Sequence, residues 1–177
     1  AAVAAKTTVT PYGVEPHFSP CPTAAVQVFC ERKRIPDHYF LYMGSDRPHK
    51  NVGVLLKMLA SAHETAMLPL VIAGMQSDTP NLRREVSRLR LEGRVYWLGE
   101  VAETDMAALY TGARALLFPS LDEGFGLPML EAMACGTPVI CSAIPTFREV
   151  GGEAAVAVHP LDPVEWRKAA YLMVTAQ

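Results

Sequence analysis

The densest chemistry in this 177-residue chain is carried by two carboxylates and a glycine-rich turn. From position 119 to 138 the sequence reads Pro-Ser-Leu-Asp-Glu-Gly-Phe-Gly-Leu-Pro-Met-Leu-Glu-Ala-Met-Ala-Cys-Gly-Thr-Pro. Glu123 and Glu131 therefore bracket Gly124, Phe125, Gly126, Leu127 and Pro128, with seven residues between them. Glycines let the backbone approach a ligand, and a proline suits the first turn of a helix. Amides just ahead of such a turn face the positive end of the helix dipole, which favours phosphate. Pro128 has no N–H, so Gly126 and Leu127 are the expected donors. No Gly-Lys-Ser/Thr follows, so the turn is not a Walker loop. Two glycines and a proline keep the glutamates off one helix face, which implies separate tasks rather than an acid–base pair. Glu131, about a turn inside the helix, can accept two hydrogen bonds from a vicinal diol such as a ribose. Glu123, in the loop, can meet the hydroxyls of a second sugar beyond the phosphates. The plainer reading of Glu131 is a helix former favoured near a positive helix end.

The elements that must position this loop follow from hydrophobic patterning. Apolar runs at 39–44, 68–74, 94–99, 115–118, 137–141 and 154–158 read as strands. Amphipathic stretches at 51–63, 81–92, 105–112, 129–135, 146–150 and 164–177 read as helices, the first with Val54, Leu55, Met58, Leu59 and Ala62 on one face. Strands written as continuous apolar runs, alternating with helices, predict a doubly wound α/β domain with a parallel sheet of about six strands. The opening residues fit least well; we expect an entering strand at 7–10, a loop to 22 and a helix over 23–34. Ligands of open α/β sheets sit beyond the carboxyl ends of the strands, which puts the loop after Pro119 on the binding rim.

Composition narrows the function further. Sixteen Lys and Arg against eighteen Asp and Glu give a formal charge of -2, which argues against a dedicated nucleic-acid binder. Cys21, Cys30, Cys135 and Cys141 form no Cys-x-x-Cys pair and read as reduced thiols of a cytoplasmic protein. The five histidines are scattered and no Asp-x-Asp appears, so no metal is expected. No signal peptide is evident, and the longest apolar run, 68–75, is too short to span a bilayer. Arginines 83, 84, 88, 90 and 94, interleaved with Glu85 and Glu92, read as a solvated helix face, with peripheral membrane contact as the sharper alternative.

The loop is also recognisable. Glu-Gly-Phe-Gly-Leu-Pro-x-Leu-Glu-Ala-Met-Ala-x-Gly-Thr-Pro-Val resembles the donor-site signature of retaining glycosyltransferases of the GT-B fold, family 4 (glycosyl transferases group 1). The segment 9–14 is similar to that family's interdomain segment, Tyr42-Met43-Gly44 with Pro48-His49-Lys50-Asn51 to its phosphate loop, and 145–150 to a later family block. The resemblance spans about residues 7–175 and implies a Rossmann-like, C-terminal nucleotide-sugar-binding domain over 1–177, with the N-terminal acceptor domain elsewhere in the parent protein. It implies transfer of a hexose from a nucleotide diphosphate sugar to an acceptor with retention of configuration, by the full-length protein rather than by this stretch alone. Lys50 would neutralise the diphosphate, Glu131 would hold the ribose and Glu123 the transferred sugar. Phe125, Gly126 and Leu127 would line phosphate and sugar beside Gly124, and Val101 would contact the base through backbone. Many relatives carry an arginine where this chain has Ser45, which leaves Arg47 to supply the second positive charge. A nucleotide-sugar epimerase of the same fold and a non-catalytic nucleotide-sugar module are the competing readings.

Overall fold

The structure is a computed structural model that describes residues 10, 12–62, 67–75 and 79–175. Six parallel strands form one sheet: β1 (Tyr39–Met43), β2 (Leu70–Ala73), β3 (Val95–Gly99), β4 (Ala113–Phe118), β5 (Val139–Ser142) and β6 (Ala155–Val158). Their spatial order is β3-β2-β1-β4-β5-β6. The helices are α1 (Thr23–Lys33), α2 (Gly53–Ala60), α3 (Pro80–Arg88), α4 (Glu103–Gly112), α5 (Leu127–Ala134), α6 (Pro145–Gly151) and α7 (Pro163–Thr175). This is the doubly wound α/β architecture expected from the alternating pattern.

Side chains alternate across a strand, and the central strands bury both sets. Phe40, Tyr42, Leu70, Ile72, Ala115 and Leu117 face one layer, where Leu55, Leu56 and Leu59 of α2 and Trp166 of α7 pack on them. Tyr39, Leu41, Val71, Ala73, Leu116 and Phe118 face the other, against Phe29 of α1, Leu109 and Tyr110 of α4, Met129 of α5 and Phe147 of α6. The outer strands differ. β6 leaves Val156 exposed and β3 is only partly covered, because each has a neighbour on one side alone. Among the described residues no helix is long and apolar enough to cross a membrane.

Some boundaries move from the expected ones for local reasons. The helix expected over 51–63 starts at Gly53, because Pro48–Lys50 form a separate 3-10 turn and Asn51 adopts the left-handed conformation (φ 52°). His63 at its far end lies outside the described residues, as do 176–177 and all of the 7–10 strand except Thr10. α3 stops at Arg88, two residues before Arg90 turns left-handed (φ 55°). The arginine face is not simply solvated. Arg94 is partly buried and its Nη1 donates to the carbonyls of Leu59 (3.0 Å) and Ala62 (3.4 Å), closing the C-terminus of α2. Arg83 lies 4.7 Å from the Trp97 ring centroid, and Arg88 makes a two-pronged pair with Glu85.

α1 is held to α4 by a charge cluster that suits both helix dipoles. Asp105, in the first turn of α4 and only 8% exposed, accepts from Arg32 (2.6 Å) and lies 3.3 Å from Lys33, both in the last turn of α1. The Arg32 hydrogen bond, aided by Lys33 and opposed by burial, holds the Asp105 carboxyl below its ordinary pKa. A lowered carboxyl pKa stabilises the fold above the unfolded-state value, near 3.9, and that stabilisation is lost as pH falls through the folded value. Asp105→Asn is therefore expected to lower unfolding free energy by about 1.5–3 kcal/mol at pH 7. In urea titrations the gap from wild type should shrink below about pH 4. An equal gap at both pH values would contradict the assignment.

Candidate functional site

The sheet order reverses between β1 and β4, so the loops leaving their carboxyl ends diverge and open a crevice. The first loop carries Lys50 at the end of its 3-10 turn; the second carries Glu123. Lys50 Nζ and Glu123 Oε1 form a hydrogen-bonded ion pair across 73 residues of sequence, with side chains 21% and 14% exposed. A pair this well sheltered is screened less by salt than a surface pair.

Several contacts fix it. Asn51, whose short amide side chain tolerates the left-handed backbone, donates from Nδ2 to the carbonyls of Pro119 (3.1 Å) and Pro160 (2.8 Å). Leu121 N–H donates to the His49 carbonyl (2.7 Å), joining the two loops directly. Ser120, fully buried, donates to the same Glu123 Oε1 (2.8 Å), and Thr146 Oγ1 donates to the Glu123 carbonyl (3.0 Å). None of Asn51, Ser120 or Thr146 stands out as a site residue in the sequence, although an asparagine just before a helix is a signal for the left-handed turn found here.

The glycine turn sits over a stacked pair, Phe118 and Phe147, with ring centroids 4.8 Å apart. Gly126 has φ 103°, and a Cβ there would lie 3.1 Å from Phe147 Cε1, so the position demands glycine twice over. It is the N-terminal cap residue of α5 and offers no side-chain cap. Pro128 has no N–H and the Met129 N–H donates to the Gly126 carbonyl (3.0 Å), so among the described residues the Gly126 and Leu127 amides are the ones without an acceptor at this helix start. Beside them opens a cleft of about 530 Å³ lined by Lys50, Glu123, Gly124, Phe125, Gly126 and Leu127, together with Tyr12, Phe118 and Pro128. Tyr12, 69% exposed, meets the Phe125 ring edge-on at 5.2 Å and is a wall residue that sequence reasoning did not single out.

Three expected residues stand apart from this cleft. Glu131 lies one turn along α5, partly buried, and Tyr110 donates to its Oε2 (2.7 Å). Burial above all, and then the Glu131 carboxylate, pushes the Tyr110 phenol far above its ordinary pKa, so it remains a donor. Val101, between β3 and α4, rests its partly buried side chain on the core. Arg47 is exposed at the start of the 3-10 turn and has no ion-pair partner among the described residues. Ser45, where an arginine was expected, accepts from the Tyr42 hydroxyl through its carbonyl (2.7 Å).

Comparison with known proteins decides the family. The family model described as "Glycosyl transferases group 1" matches residues 29–170, most of the chain, including Lys50 and the Glu123–Glu131 loop. The chain belongs to the group 1 glycosyltransferases. It is 38% identical over 138 residues to the O-antigen chain mannosyltransferase RfbU of Salmonella typhimurium, covering 78% of this chain and 39% of that protein. To the O-antigen chain mannosyltransferase B of Escherichia coli it is 41% identical over 127 residues, covering 70% and 33%. This glycosyltransferase chain thus spans under two-fifths of the length of those relatives. Its fold matches the crystal structure of Anabaena Alr3699/HepE in complex with UDP-glucose with a TM-score of 0.82 at 19% identity, over 92% of this chain and 46% of that one.

The two glycines of the turn separate strain from space. Gly126→Ala meets both a left-handed backbone and the Phe147 ring, and is expected to cost about 1–3 kcal/mol. Gly124→Ala meets nothing within 4 Å and should change stability by less than about 1 kcal/mol. Thermal unfolding of the two variants side by side checks this, and equal melting temperatures would contradict the geometry.

Proposed function

We propose that this chain is the donor-binding domain of a retaining glycosyltransferase that moves a hexose from a nucleotide diphosphate sugar to an acceptor. The observation that carries the proposal is the meeting of Lys50 and Glu123 at the uncapped start of α5, in one ligand-sized cleft. Lys50 has three N–H bonds; one is directed to Glu123, which leaves others for a diphosphate. Together with the Gly126 and Leu127 amides it stabilises the charge that builds on the departing diphosphate, in a site organised before the ligand arrives. Glu123, held by Ser120 and Lys50, meets the transferred sugar, and Glu131 meets the ribose. Gly124, Phe125 and Tyr12 bound the sugar end. Arg47, exposed at the start of the turn that carries Lys50, is the second positive charge in this reading.

Charge neutralisation by Lys50 and the helix start makes a metal ion unnecessary in this scheme. A mannosyl donor is favoured because two relatives of this chain are named as mannosyltransferases. The name of the Anabaena structure, a complex with UDP-glucose, supports the nucleotide-sugar class rather than a particular base. The acceptor site belongs, in this reading, to an N-terminal domain of the full-length protein facing the crevice, as the shorter span of this chain relative to its relatives supports.

Calorimetric titration of the full-length protein with UDP-, GDP-, ADP- and dTDP-sugars should find one donor that binds. Lys50→Ala should weaken the matching nucleoside diphosphate by roughly ten- to a hundredfold, the loss of a hydrogen bond between charged groups. The nucleoside monophosphate should be affected far less. Equal weakening of both, or no binding by folded protein, would overturn the proposal. Incubation with donor alone distinguishes the epimerase reading, which predicts an epimerised sugar without acceptor.

A further inference from the structure

Three tyrosines of this domain are completely buried: Tyr39, Tyr42 and Tyr110. A buried phenol needs a hydrogen-bond partner. Tyr39 donates to the Leu109 carbonyl (2.7 Å) and Tyr42 to the Ser45 carbonyl (2.7 Å), the ordinary solution of a backbone acceptor. Tyr110 alone of the three donates to a carboxylate, Oε2 of Glu131, at 2.7 Å. The hydroxyl stays protonated because burial and that carboxylate both raise its pKa.

The tyrosine is itself held still. It lies in the last turn of α4, and Thr137 Oγ1 donates to its backbone carbonyl (2.6 Å). The Phe18 ring meets its ring edge-on at 6.0 Å. Glu131, in contrast, is on α5, one turn beyond the uncapped helix start, and is partly open to solvent. Among the described residues no hydrogen bond occupies its Oε1.

We propose that Tyr110 is a positioning residue: its immobile hydroxyl pins Oε2 of Glu131 so that Oε1 and the remaining lone pair are presented in one fixed geometry to the diol of a nucleotide ribose. The inference rests on the nucleotide-sugar reading above. A carboxylate on an unrestrained side chain would have to be ordered by the ligand, at the ligand's expense in affinity. A carboxylate already fastened at one oxygen is ordered beforehand, and a charge-assisted bond is strong enough to hold it. Tyr110 touches no ligand in this account; it acts through Glu131.

The test uses the full-length protein and the tightest binder among ADP, GDP and UDP, each compared with its 2′,3′-dideoxy counterpart, which lacks the diol. Wild type should prefer the ribose form. Tyr110→Phe should weaken the ribose form by roughly tenfold and leave the dideoxy form within about twofold, since only the former uses Glu131. In a Glu131→Ala background, Tyr110→Phe should add nothing. If Y110F weakens both ligands alike, or neither, the residue is only a packing element and the inference fails while the nucleotide reading stands. If wild type binds none of these three nor dTDP, that reading fails and takes the inference with it; binding of dTDP alone, which has no 2′,3′-diol, overturns the inference and leaves that reading standing. A second readout leaves Tyr110 intact and so survives a variant that does not fold. The hydroxyl proton resonance of Tyr110 in wild-type protein should shift on adding the ribose form and remain in place with the dideoxy form. No shift with a bound ribose form would overturn the inference.

Discussion

The Lys50–Glu123 ion pair is the contact through which the two halves of the sheet become one site. Lys50 follows the strand at which the chain begins to build in one direction, and Glu123 follows the strand at which it turns to build in the other. Nothing local brings them together. They meet because β1 and β4 are neighbours, and because Asn51 and Leu121 stitch the loops after those strands. The opposite charges serve each other while the cleft is empty of ligand: the carboxylate keeps the ammonium from wandering, and the ammonium makes a half-buried carboxylate tolerable. Under the proposed function, a diphosphate arriving at the start of α5 would meet a cation already in position, with protons to spare.

A common device recurs at both carboxylates of the loop. Glu123 has one oxygen engaged by the buried hydroxyl of Ser120, and Glu131 has one engaged by the buried hydroxyl of Tyr110. The Tyr110 hydroxyl comes from the last turn of a helix and the fully buried Ser120 hydroxyl from two residues beyond the end of β4, while the glutamates project from the loop and from the helix it leads into. Two flexible side chains are thereby tied to the scaffold at one atom apiece. The turn between them is rigid as well, since Gly126 is wedged over the Phe118–Phe147 stack in a conformation other residues resist.

How far this was legible in the sequence follows from which forces are local. The central strands declare themselves, because β1, β2 and β4 from Ala115 on are buried on both faces and must be written as apolar runs. The glycine turn is legible too: left-handed backbone and close packing against aromatic rings restrict the residue type at Gly126, and a proline at the helix start leaves its mark. What was hidden depends on partners far away in sequence. A serine after a strand or a tyrosine in a helix looks the same whether its hydroxyl meets a carbonyl or a carboxylate of the cleft region, so Ser120 and Tyr110 carry no signal of their own. Arg94 was misjudged for the same reason, since a guanidinium closing the end of α2 reads like one in water. Boundaries moved where one backbone residue overrode helical patterning, as Asn51 does before α2.

The central claim is that the start of α5, with Lys50 beside it, receives a diphosphate while Glu131 receives the ribose attached to it. Backbone amide resonances of the protein, followed by NMR during titration with the nucleoside diphosphate that binds tightest, report this position by position. The account predicts that the largest shifts cluster at Gly124, Gly126, Leu127, Lys50 and Glu131, with the Gly126 and Leu127 amides moving downfield as they donate to phosphate. Shifts centred elsewhere on the sheet, with those five amides unmoved at saturation, would contradict it.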